Sequence, residues 1–62
     1  MTQKELLYVE DAIMHENSII NILEISRENS NNEELISFIE NEINTHQSIK
    51  NNLMNLLGGL NG

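Results

Sequence analysis

The chain reads as all-α: an antiparallel helical hairpin that dimerises into a four-helix bundle. Three observations predict this. Apolar residues recur at three- and four-residue spacing through two long stretches, with no Pro to break either. The stretch between them, residues 28–32 (ENSNN), is polar and made of turn formers. And 62 residues without a single Cys leave one hairpin short of a core and of any disulfide staple. A second copy is the simplest remedy.

The first helix is expected over about 3–28. Thr2 as N-cap with Glu5 three residues on forms a capping box. Leu6, Val9, Ala12, Ile13, Ile19, Ile20 and Leu23 then fall on one side at 100° per residue. The turn occupies about 29–32. Ser30 with Glu33, or Asn31 with Glu34, offers the next N-cap. The second helix is expected over about 33–57, with Leu35, Phe38, Ile39, Ile49, Leu53, Leu56 and Leu57 on its buried side. Gly58 is expected as its C-terminal stop, and 58–62 as a flexible tail. The short connection makes the helices antiparallel neighbours.

Ten acidic against three basic residues give a formal charge of −7. That argues against nucleic acid, whose affinity comes mostly from Lys and Arg on phosphates, and against anionic membrane surfaces. No stretch is apolar for long enough to span a bilayer. The start MTQKELL lacks the basic and apolar regions of a secretory signal, so the expected location is cytoplasmic. Without Cys, zinc–thiolate sites and thiol chemistry are excluded.

Three polar residues interrupt the apolar pattern. Glu16 continues the series 6, 9, 13, 16, 20, 23, and Glu42 and His46 lie one turn apart between Ile39 and Ile49. If the hairpin folds about 30 and 31, facing positions have numbers totalling about 61, which sets Glu16 at the level of Glu42 and His46. A lone inward His is more often a hydrogen-bonded core residue, and a lone Glu usually reaches solvent. Three at one level, in a chain with few cations, point instead to a metal. A two-fold axis would double the set to four carboxylates and two imidazoles. That is the ligand inventory of ferritin-like di-iron or di-manganese bundles. The spacing differs, because Glu42-x-x-x-His46 replaces the usual Glu-x-x-His. The competing reading is a metal-free, proton-sharing network that fixes dimer register. Asp11 and His15, also one turn apart, could support the ligands from behind or form a plain exposed pair.

The segments LLYVEDAIMHENSII and THQSIKNNLMNLL, separated by a short polar turn, resemble the small ferritin-like spore coat proteins of the spore coat protein F type. The resemblance covers roughly 5–57. It implies a ferritin-like bundle completed by two chains, a spore-associated or sporulation-linked role, and other spore coat proteins as partners. On this reading the chain is a minimal ferritin-like homodimer with a dinuclear metal site, and its activity is oxygen or peroxide handling or metal binding without turnover. The alternative is a metal-free structural or interaction module of the coat. A third reading is a regulatory hairpin that docks a partner through the outer stripe Leu7, Met14 and Ile25.

Overall fold

A computed structural model describes residues 1–61 of the chain, with side chains through Gly58. Helix α1 spans Gln3–Glu28 and helix α2 spans Glu33–Asn61, and the two pack against each other as a hairpin. The Thr2 N–H donates to Glu5 Oε1 (2.8 Å) and the Glu5 N–H donates to Thr2 Oγ1 (3.1 Å), so the capping box starts α1. Accepting that backbone proton, and the Thr2 side-chain contact after it, holds the Glu5 carboxyl below its usual range. At the other end the Ile25 carbonyl accepts both the Asn29 backbone N–H (3.1 Å) and Asn29 Nδ2 (2.8 Å), so Asn29 closes the last turn with main chain and side chain together.

The cap of α2 is Asn32, neither Ser30 nor Asn31. Its Oδ1 accepts the Leu35 N–H (3.1 Å), and its carbonyl accepts the Ile36 N–H (2.9 Å). Ser30 acts one step earlier: its Oγ accepts the Asn32 N–H (3.2 Å) and tightens the turn. Asn32→Ala is therefore expected to cost about 1 kcal/mol, and Asn31→Ala a few tenths at most. Urea unfolding followed by circular dichroism measures both, and equal losses would contradict the assignment.

Helix α2 also runs further than its sequence suggests. It continues through Gly58 to Asn61 in place of stopping after Leu57, and no described glycine has positive φ, so the left-handed glycine cap is not formed. A helical Gly costs roughly 1 kcal/mol relative to Ala, which a long helix tolerates. Gly62 lies outside the described residues.

The inward residues of α1 are Leu6, Val9, Ala12, Ile13, Glu16, Ile20 and Leu23. Ile19, expected among them, is 36% exposed at the edge of the seam. In α2 the inward row is Ile36, Ile39, Ile43, His46, Lys50, Leu53 and Leu57, while Leu35, Phe38, Ile49 and Leu56 are exposed. Apolar periodicity alone merges these two adjacent stripes. Among the described residues, only Ile20 and Ile39 are buried.

Among the described residues, seven of the twelve exposed large apolar side chains gather on one side. Leu35, Phe38, Ile49 and Leu56 cover one flank of α2 at 100° per residue. Two right-handed helices running antiparallel put Tyr8, Ile19 and Ile22 of α1 on that same side of the hairpin. The opposite side carries exposed Glu10, Asn17 and Asn21 from α1 and Glu40, Gln47 and Asn51 from α2. The molecule is thus a single layer, 45 × 16 × 11 Å, with most of its exposed apolar residues on one broad side, while Met54 lies on the other and Leu7, Met14 and Ile25 along the back of α1.

Candidate functional site

Helix periodicity brings Glu16, Glu42 and His46 together midway along both helices. His46 Nδ1 lies 2.5 Å from Glu16 Oε2 across the hairpin, so facing positions number about one more than the turn arithmetic anticipates. A carboxylate can only accept, which places the ring proton on Nδ1. The other ring nitrogen, Nε2, lies 3.8 Å from Glu42 Oε2. The imidazole therefore stands between two carboxylates, one on each nitrogen.

Exposure grades across the three. The side chains of Glu16, His46 and Glu42 are 14%, 22% and 39% exposed. Glu16 is deepest, and Glu42 opens onto the flank that carries Phe38 and Ile49. On the wheel it belongs to the 35, 38, 42, 49, 56 row, so the cluster interrupts the apolar side near its middle. Tyr8, Ile49 and Leu56 lie toward the termini from it; Ile19, Ile22, Phe38 and Leu35 lie toward the turn.

Among the described residues, no group of three or more His, Asp or Glu side chains is arranged to hold a metal ion within one chain. The reason is visible in the pairing, since the two carboxylates sit at opposite ring nitrogens and do not converge on one point. Asp11 and His15 are both exposed and take no part in the cluster's hydrogen bonds. Lys50, which sequence reasoning passed over, is half-buried one turn beyond His46. The signal for it was its place in the row 39, 43, 46, 50, 53, 57, which a reader following only apolar residues skips. Among the described residues it forms no ion pair with a carboxylate.

No family model, curated protein or solved structure matches the chain. Among the described residues, no helix is long and apolar enough to cross a membrane.

Proposed function

We propose that the chain works as a homodimer: two hairpins packed through their apolar sides into a four-helix bundle, each contributing its carboxylate–imidazole cluster to the centre. The observation that carries this reading is the one-sidedness of the hairpin. Large side chains such as Phe38 (59% exposed) and Leu56 gather on one broad side, and the other side is mostly polar, with Met54 as its exposed apolar residue. Domains are ordinarily built from two packed layers, and this chain supplies one.

The areas agree. The hairpin exposes 4752 Å², against about 4,100 Å² expected for a compact monomer of its mass. The excess, roughly 650 Å², is close to the ~800 Å² that each partner buries in a standard interface. A second copy fits better than an unrelated helix pair because the polar cluster sits at the midpoint of both helices. A two-fold axis along or across the hairpin stacks apolar residues on apolar ones and cluster on cluster. A foreign partner would need a matching polar set at one level. Metal binding at that centre is the activity the arrangement serves, and its sporulation-linked setting follows from the sequence resemblance.

Sedimentation velocity tests the reading. The wild-type chain is expected to sediment at twice its 7.1 kDa mass. Phe38→Glu with Ile49→Glu should weaken association at least a hundredfold, because each places a charge at the centre of a desolvated interface. Met14→Glu, on the back of α1, should leave the dimer intact. A monomeric wild type, or a dimer lost through Met14→Glu and kept with the other pair, would overturn the assignment.

A further inference from the structure

Within that dimer the two ring nitrogens of His46 have different tasks. With Glu16 accepting the Nδ1 proton, the neutral ring carries its lone pair on Nε2, 3.8 Å from the more open carboxylate of Glu42. This is the arrangement by which proteins orient a metal-binding imidazole: one nitrogen is anchored to a carboxylate, and the tautomer and ring angle of the other are thereby fixed. We propose that the dimer holds one divalent ion on its two-fold axis, bound by His46 Nε2 and a Glu42 carboxylate oxygen from each chain. Glu16 is a positioning residue and not a ligand. The inference rests on the dimer reading and adds to it the ligand set, the stoichiometry and the class of ion.

The distances fit that class. In a four-coordinate site with metal–nitrogen and metal–oxygen bonds of about 2.1 Å, neighbouring donors lie roughly 3.4 Å apart. Nε2 and Oε2 are at 3.8 Å, so a few tenths of an ångström of side-chain adjustment brings them to bonding geometry. Two imidazoles and two carboxylates make four donors, which suits Zn²⁺ or Co²⁺ better than an octahedral oxygen-rich ion. The charges agree as well. Two Glu42 carboxylates meeting across an axis repel, and one divalent cation neutralises both. Lys50, the half-buried cation nearest along α2, pairs with neither Glu42 nor Glu16. Among the described residues, the carboxylates beside the ring are one that anchors it and one that shares its open side.

Cobalt titration of the metal-free dimer reads this directly. The expected result is saturation at one Co²⁺ per two chains, visible bands of tetrahedral intensity, and displacement by Zn²⁺. His46→Gln and Glu42→Gln should abolish the bands. Glu16→Gln should weaken binding ten- to a hundredfold while keeping the tetrahedral spectrum at saturation, since it disturbs orientation and removes no ligand. Circular dichroism and sedimentation of each metal-free variant establish that fold and dimer persist. A dimer that takes up no cobalt, that takes two ions, or that loses binding as completely with Glu16→Gln as with Glu42→Gln would overturn the one-ion site and leave the dimer standing. A monomeric wild type would remove the dimer itself.

Discussion

Ile20→Ala and Ile39→Ala are each expected to destabilise the chain by about 2–4 kcal/mol, the range for truncating a buried Ile to Ala. Among the described residues these are the only buried side chains, at 6% and 5% exposure, and they occupy neighbouring levels on the turn side of the polar cluster. Typical stability is about 0.05–0.15 kcal/mol per residue, or roughly 3–9 kcal/mol at this length. Either change therefore removes a large share, and the pair together should abolish cooperative folding at micromolar concentration. Leu7→Ala, on the exposed back of α1, should shift stability by no more than about 0.5 kcal/mol. Urea unfolding monitored by circular dichroism gives all three values. A loss below about 1 kcal/mol at both Ile20 and Ile39 would mean that the seam between the helices is not the core. Because a dimer's stability depends on concentration, the comparison is made at one protomer concentration.

The hairpin itself was legible from periodicity and the polar turn, because both are local signals. What periodicity could not do was separate two stripes that lie only about 80–100° apart on α2. Leu35, Phe38, Ile49 and Leu56 satisfy the apolar test as well as Ile36, Ile43 and Leu53 do. In the proposed dimer, which buries each helix against one neighbour inside the hairpin and another across it, both stripes have to be apolar. The position of the turn decides which stripe faces α1, and that is information about three dimensions. Lys50 was missed for the same reason, since an inward position defined by its neighbours can be filled by a side chain with a long apolar stem. The cap moved from Ser30 or Asn31 to Asn32 because three adjacent residues can each accept a backbone N–H, and the geometry of the turn chooses among them.

Glu16, Glu42 and His46 were legible as a group because each replaces an aliphatic residue in a row that predicts one. Their roles were not. Counting carboxylates and imidazoles makes Glu16 and Glu42 equivalent, whereas the fold sets one on each ring nitrogen and gives them 14% and 39% exposure. Residue type and spacing cannot express that asymmetry. It depends on which carboxylate crosses the hairpin and which lies on the same helix as the imidazole.

The pair Glu16 and His46 gives the sharpest test of whether this polar cluster exists for stability or for binding. Removing one partner strands the other: His46→Ala leaves a mostly buried carboxylate without its donor, and Glu16→Ala leaves an imidazole without its acceptor. Each is expected to cost about 1–3 kcal/mol. Replacing both, Glu16→Leu with His46→Leu, restores the aliphatic pattern of both rows at nearly constant volume. Such replacements of paired polar groups are often neutral or stabilising by about 1–4 kcal/mol. The 14% and 22% exposure of these side chains puts this case at the lower end. The double variant should therefore unfold at a higher urea concentration than the wild type, still as a dimer, and bind no cobalt. A double-mutant cycle of the wild type, Glu16→Leu, His46→Leu and the double leucine variant, measured by urea unfolding at one concentration, separates coupling from simple burial. If the double leucine variant is less stable than the wild type by 1 kcal/mol or more, the Glu–His pair is a net structural asset. The argument that its position reflects binding would then lose its support. If it is more stable, the chain carries at its centre a polar pair that costs it stability, which is what a retained ligand-orienting device predicts.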